Sequence, residues 1–245
     1  MNAIEIKKLT KRYGERTVVD ALSLTVAEGE LFSLLGVNGA GKTTTIKMLS
    51  CLAQPSEGDA TVLGHSVTAE PTAVKGVIAV SPQESAVATG LTVRENLELM
   101  CGIYGFSREK TSARVRELAS LLSLEGEMDK RAGKLSGGYA RRLSIAMALV
   151  GEPRVLFLDE PTLGLDVIAR SDLWEIIRAL KGRVTVILTT HYMEEAEALS
   201  DRIGIMAHGR LCALGSPAEL CTLAGTSRFE DAFVALATEG KEAAV

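Results

Sequence analysis

The chain is poor in aromatic residues. Four tyrosines, five phenylalanines and one tryptophan make up 4% of its 245 positions. It has only three histidines, and none of its four cysteines (Cys51, Cys101, Cys212, Cys221) forms a C-x-x-C pair. Neither set has the spacing of a zinc site, and scattered cysteines are usually small buried hydrophobes of a reducing compartment. A basic excess is also missing. The 27 Lys+Arg stand against 31 Asp+Glu, a formal charge of −4, which argues against a nucleic-acid platform. No apolar run approaches the roughly 20 residues that cross a bilayer. The opening MNAIEIKK lacks the apolar stretch of a signal peptide. These absences predict a chain that stays inside the cell, does not span the membrane and binds no nucleic acid.

Hydrophobic residues make up 47% and charged residues 24%, as in a globular chain with an aliphatic core. The length allows one large domain, or a domain with a subdomain. Residues 1–35 read as strands. Ile4 and Ile6 alternate with polar neighbours, Thr17-Val18-Val19 is β-rich, and Leu22, Leu24 and Val26 repeat at period two. Such alternation suits an antiparallel sheet with one wet face. Leu31-Phe32-Ser33-Leu34-Leu35 is nearly all apolar, as in a strand buried on both faces, and it runs through a Gly-rich loop into a helix predicted over 43–52.

Strand texture returns at 58–62, 77–80, 154–158 and 184–188, with an amphipathic helix near 171–180. Strands alternating with helices at this spacing imply an α/β core with a parallel sheet. Residues 84–150 read as a helical insertion. There Thr92-Val93-Arg94-Glu95 has the form of a capping box, and Val115, Leu118, Ala119 and Leu122 share a helical face. The division expected is a core of 1–83 and 151–215, a helical part of 84–150 and a C-terminal helical segment of 216–245. His208-Gly209 marks a hairpin, Ser216-Pro217-Ala218-Glu219 a helix start, and 238–245 a frayed tail.

Gly36-Val37-Asn38-Gly39-Ala40-Gly41-Lys42-Thr43 matches G-x-x-x-x-G-K-[ST], between a buried strand and a helix. Glycines let successive N–H groups face one concavity, and the helix adds its positive end, so the loop is built to hold phosphate. Lys42 then reaches the β- and γ-phosphates, and the Thr43 hydroxyl meets Mg²⁺. The N-K-x-D guanine reader is absent, because Lys follows none of Asn2, Asn38 and Asn96; adenine is the expected base. The apolar run Val155–Leu158 ends in Asp159-Glu160. Acids there are costly unless they pair or hold a metal. Asp159 is expected at Mg²⁺ and Glu160 at the water facing the γ-phosphate, since phosphoryl transfer depends mainly on positioning and charge stabilisation. His191 follows the core strand 184–188, where ligands of α/β sheets bind.

Leu135-Ser136-Gly137-Gly138-Tyr139-Ala140-Arg141-Arg142 resembles the signature motif of ABC transporter ATPases. In family order, Tyr13 resembles the aromatic that stacks on adenine, Gln83 the Q-loop glutamine, Gly164-Leu165-Asp166 the D-loop and His191 the switch histidine. The resemblance runs from Ile4 to about Glu219. It implies a P-loop NTPase fold of the ABC type: an α/β core with a mixed or parallel sheet, an N-terminal antiparallel β subdomain and an inserted α-helical subdomain. It also implies two cassettes packed head to tail around two ATPs. Tyr13, Gly36, Asn38, Gly39, Ala40, Gly41, Lys42, Thr43, Thr44 and Gln83 would bind ATP from one chain and Ser136, Gly137 and Gly138 from its partner, with Asp166 also among the ATP-binding residues. Thr43, Gln83 and Asp159 would serve Mg²⁺; Glu160, His191 and Lys42 would be catalytic. Tyr139 departs from the family's usual Gln.

The chain carries one phosphate loop and one Ser-Gly-Gly helix start, itself an anion-binding N-terminus, so it is expected to pair with itself or a similar chain. The resemblance further implies an integral membrane partner, and so a place at the cytoplasmic face of the membrane. The insertion carries Leu91, Val93, Leu97, Leu99, Met100, Ile103, Tyr104 and Phe106; many of these are expected in the core, and a few exposed ones would form the partner's docking groove. Arg228–Leu236 resembles the C-terminal segment common in drug- and antibiotic-export ATPases of the ABC-2 type, a group that includes nodulation-factor exporters. Phe229 and Phe233, four apart, would pack one helical face onto the core. Export of a drug, antibiotic or lipid- or saccharide-like compound is therefore expected. The alternatives are an importer ATPase and a soluble non-transport ABC ATPase.

Overall fold

Two β-sheets share the strands of the structure, a computed structural model that describes residues 1–242. In the first, β1 (Asn2–Tyr13) lies antiparallel between β2 (Arg16–Ala27) and β4 (Glu57–Val62), and the two-residue β5 (His65–Ser66) closes the far edge. The cross-strand pairs Ile4–Val26, Ile6–Leu24 and Leu9–Leu22 are all buried, so the period-two pattern lands on one face.

The second sheet has the order β10-β9-β3-β8-β7-β6. Its parallel members are β3 (Leu31–Leu35), β6 (Ile78–Ser81), β7 (Val155–Asp159), β8 (Thr185–Thr190) and β9 (Arg202–Ala207). β10 (Arg210–Gly215) returns antiparallel through His208-Gly209. These strands feed two cores by alternation. Val155 and Phe157 point toward the antiparallel sheet and α1 (Lys42–Leu49), whereas Leu156 and Leu158 point toward the helices. Burial on both faces is why the strands read as continuous apolar runs.

Helices α3 (Val93–Ile103), α4 (Arg108–Leu121) and α5 (Gly137–Leu149) surround Leu97, Leu118 and Leu143. α5 touches β6, α3, α4 and α6 (Val167–Leu180), so it joins the helical part to the sheet. α3 begins with the predicted capping box: Thr92 Oγ1 accepts from the Glu95 N–H, and Glu95 Oε2 accepts from the Thr92 N–H. α8 (Pro217–Leu223) begins in the same way with Ser216 and Glu219. α7 (Met193–Leu199) links β8 to β9. In α9 (Phe229–Glu242), Phe229 and Leu236 are buried and Phe233 is half-buried against Leu35, Ile203 and Ile205.

Several boundaries differ from expectation. α1 starts at Lys42 and stops at Leu49, because Cys51 takes a positive φ and ends the turn. α6 begins at Val167, four residues early, because Asp166 caps it: its Oδ1 accepts from the Ala169 N–H at 2.9 Å. α2 (Pro71–Val77) was not anticipated, since Val74 is its only buried residue and leaves no periodic signal. The tail expected to fray from 238 is helical through 242; its last three positions, 243–245, lie outside the described residues. Among the described residues no helix is long and apolar enough to cross a membrane.

Candidate functional site

Parallel register brings the candidate residues to one edge. Leu35 lies beside Thr190, Asp159 beside Thr189, and Ser81 beside Leu158. The segments that follow, Gly36–Gly41, Glu160, His191 and Pro82-Gln83, therefore leave the sheet together at its carboxyl edge, where α/β sheets form their crevices. The loop needs its glycines. Gly41 has φ +103°, and a Cβ there would stand 2.7 Å from the Val18 carbonyl; one at Gly36 would stand 2.3 Å from that of Met206. α1 then opens with no side-chain cap and no acid in its first turn. Its free N–H groups and positive end face the crevice.

Lys42 is 5% exposed and folds back over the loop. Its Nζ donates to the Gly36 carbonyl at 2.6 Å and the Val37 carbonyl at 3.3 Å, and lies 3.3 Å from Glu160 Oε1. The other Glu160 oxygen, Oε2, is 2.6 Å from His191 Nδ1. Glu160, 7% exposed, thus bridges two basic groups. Its φ is +47°, a left-handed conformation that costs a non-glycine residue about 1–3 kcal/mol. Two bonds hold it there, from its N–H to the Thr189 carbonyl and to Thr189 Oγ1, both at 3.1 Å. Asp159 stands behind. Its Oδ1 accepts from Thr43 Oγ1 at 3.0 Å and also from the Thr189 hydroxyl. A hydroxyl and a carboxylate in contact are the oxygen donors a hard divalent cation takes, so this pair fits Mg²⁺.

A cavity of about 550 Å³ gathers most of the predicted residues. Tyr13, Asn38, Gly39, Ala40, Gly41, Lys42, Thr43, Thr44, Gln83, Glu160 and His191 all line it. Gly36 and Asp159 form its second layer through Lys42 and Thr43. Arg16, Val18 and Leu163 also line it. No motif points to them; they arrive with the β1–β2 turn and the loop after Glu160.

Ser136, Gly137, Gly138 and Asp166 do not reach this cavity. Ser136 caps α5, its Oγ accepting from the Tyr139 N–H at 3.5 Å. Gly137 faces Leu165, and Gly138 faces Ala169 at the start of α6. Within one chain, the phosphate loop and the Ser-Gly-Gly turn are separate surfaces.

Two buried ionisable residues near the crevice have no role assigned from the sequence. Glu195, on α7, is fully buried; its Oε1 accepts from Thr162 Oγ1 at 2.8 Å and from Trp174 Nε1 at 3.1 Å. Burial pushes its carboxyl above the usual range, and hydrogen bonds from neighbouring hydroxyls and the indole offset part of that rise. Arg141, on α5, is 3% exposed. Burial lowers its guanidinium to about 10, against the pull of Asp159, Glu195 and Glu160, so it stays charged at neutral pH. A signal for it existed. Arg141 falls four and eight residues before the buried Ile145 and Leu149, a cation on the core stripe of its helix.

A family model described as ABC transporter matches residues 19–163. The Nod factor export ATP-binding protein I of Paraburkholderia xenovorans (strain LB400) is 46% identical over 219 residues, covering 89% of this chain and 72% of that protein. The daunorubicin/doxorubicin resistance ATP-binding protein DrrA of Streptomyces peucetius is 44% identical over 226 residues, covering 92% and 68%. A solved structure of an ATP binding subunit of an ABC transporter superimposes with a TM-score of 0.84 at 29% identity, covering 96% of this chain and 99% of that one. The dimeric post-hydrolysis state of the ATP-binding cassette MJ0796, bound to ADP and Pi, gives 0.77 at 26% identity, covering 87% and 98%.

Proposed function

The chain belongs to the ABC transporter family as an ATP-binding subunit with ATPase activity, and from that premise we propose that it is the motor of a multi-chain exporter. Two copies, or this chain and a similar one, close on two ATPs. The phosphate loop of one meets Ser136, Gly137 and Gly138 of the other, and Asp166 lies at the same interface. A membrane subunit carries the cargo, a drug, an antibiotic or a lipid- or saccharide-like compound, and holds the motor at the cytoplasmic face. Export is supported by the names of the relatives and by the packed C-terminal helix α9. Leu99, Ile103 and Tyr104, 47%, 68% and 48% exposed on one helix and its cap, offer the partner an apolar surface.

The observation that carries the site reading is the Lys42–Glu160–His191 chain of contacts over the glycine loop. ATP enters with adenine against Tyr13 and its phosphates on the N–H groups that open α1. Lys42 exchanges its loop carbonyls and Glu160 for phosphate oxygens, which frees Glu160 Oε1 to accept from a water. That water attacks the γ-phosphorus as the bond to ADP breaks, and its proton passes toward Glu160. His191, held by Glu160 through Nδ1, keeps its second nitrogen for the γ-phosphate. Thr43, Asp159 and Gln83 would hold Mg²⁺, which would neutralise phosphate charge.

Replacing Glu160 with Gln tests this reading. The variant is expected to bind MgATP, to lose ~100-fold or more of turnover, and to accumulate as a dimer measurable by size-exclusion chromatography with light scattering. Near-normal hydrolysis would reject the role of Glu160, and a monomer at every protein concentration would reject the dimer.

A further inference from the structure

Arg141 spends its guanidinium entirely on backbone. Nε donates to the Pro161 carbonyl at 2.9 Å, Nη2 to that of Asp159 at 2.7 Å, and Nη1 to those of Pro82 and Gln83, the last at 3.3 Å. Every one of those carbonyls belongs to, or adjoins, a residue of the nucleotide crevice. Pro82 and Gln83 form the loop after β6; Asp159 and Pro161 flank Glu160. No carboxylate touches the guanidinium, so its charge is balanced only through space by Asp159, Glu195 and Glu160. A buried cation without a salt-bridge partner is costly. The neighbouring Arg142 is placed differently, pairing with Asp172 on α6 at 2.8 Å.

Arg141 sits five residues into the helix that Ser136 caps, about 7 Å along its axis. The N-terminal end of the same helix, less than two turns away, is the Ser-Gly-Gly turn. One side chain therefore joins the turn that meets the partner's ATP to the two loops that meet the chain's own ATP. A planar fork with five donors can span three segments at once, which an ammonium or an amide cannot.

We propose that Arg141 is a positioning residue that couples the two ATP sites of the dimer, carrying any movement of the Ser136–Gly138 turn on one nucleotide to Gln83, Asp159 and Glu160 around the other. This rests on the dimer reading above. It requires that loss of the fork uncouple the sites while each phosphate loop still binds.

The test uses Arg141→Lys and Arg141→Met, with melting temperatures recorded for both; Lys keeps the charge and serves if Met does not fold. A fluorescent ATP analogue measures binding to the single chain, and ATPase rates are followed against ATP concentration. Wild type is expected to show a Hill coefficient approaching 2, for about two sites. In Arg141→Lys, analogue affinity stays within about twofold, the Hill coefficient falls to about 1 and kcat drops about tenfold, with KM little changed. A variant that keeps wild-type cooperativity and kcat overturns the proposal. So does one in which affinity, kcat and melting fall together, which marks a purely structural arginine. If the Glu160→Gln protein never dimerises, the dimer reading and this coupling fail together. If it dimerises and Arg141→Lys remains cooperative, the coupling alone fails.

Discussion

Helices α3 and α8 close their own N-termini with a hydroxyl and an acid; α1 has neither, and α5 has the hydroxyl alone. At α3 and α8 a Thr or Ser accepts from the third helical N–H, and Glu95 or Glu219 reaches back with a negative charge. Hydrogen bonding to the cap holds both of those carboxyls below the usual range. At α1 neither a capping side chain nor an acid is present, and at α5 only Ser136 is. An acid in the first turn is worth about 0.3–1 kcal/mol to a helix. The chain forgoes it at the two starts that the proposed mechanism turns toward phosphate. The open ends differ from each other too. α1 opens into a walled cavity beside Lys42, whereas Ser136 and Gly137 are exposed on the surface. In the proposed mechanism one start grips a nucleotide within its own chain, and the other meets a nucleotide held by a second chain.

That contrast can be broken at three places. Lys42→Ala removes the cation beside α1 and is expected to weaken nucleotide binding ~100-fold or more, about 3 kcal/mol, in a fluorescent-analogue titration. Retained tight binding would mean the loop has been misread. Tyr139→Glu installs at α5 the acid that α3 and α8 carry. In the Glu160→Gln background it is expected to weaken ATP-driven dimerisation at least ~tenfold by placing like charge against phosphate, while single-chain affinity changes less than about twofold. If dimerisation survives unchanged, the openness of α5 has no functional meaning. The smallest effect belongs to a closed end. Thr92→Ala should cost about 1 kcal/mol, a fall of roughly 2–4 °C in melting temperature, with the KM for ATP unmoved. A change in KM there would erase the distinction between the two kinds of helix start.

What could be read from the chain before folding was what is written locally. The strands β1 and β2, the buried strand before Gly36, the phosphate loop and the capping boxes at Thr92 and Ser216 each lie within a dozen neighbouring residues, where period and turn chemistry speak directly. Most of the crevice was legible for the same reason, since Asp159-Glu160 and His191 each end an apolar run. Arg141 reaches carbonyls 18 to 59 positions away, and Glu195 meets Thr162 33 positions upstream. No periodicity encodes such contacts. Both residues were hidden behind ordinary helical surroundings, and only a charge on an apolar stripe hinted at Arg141. α2 was missed for the opposite reason: it buries one side chain, too little for any pattern to form.

The indole of Trp174 on α6 donates to Glu195 on α7, and α7 begins two positions after His191. It is the chain's sole tryptophan. Indole emission from the unlabelled protein therefore comes from the seam between these two helices, and a shift of α7 against α6 changes the polarity around the fluorophore. The histidine proposed to face the γ-phosphate thus lies two positions before a helix with a built-in optical gauge, readable in a stopped-flow cuvette without attaching a dye.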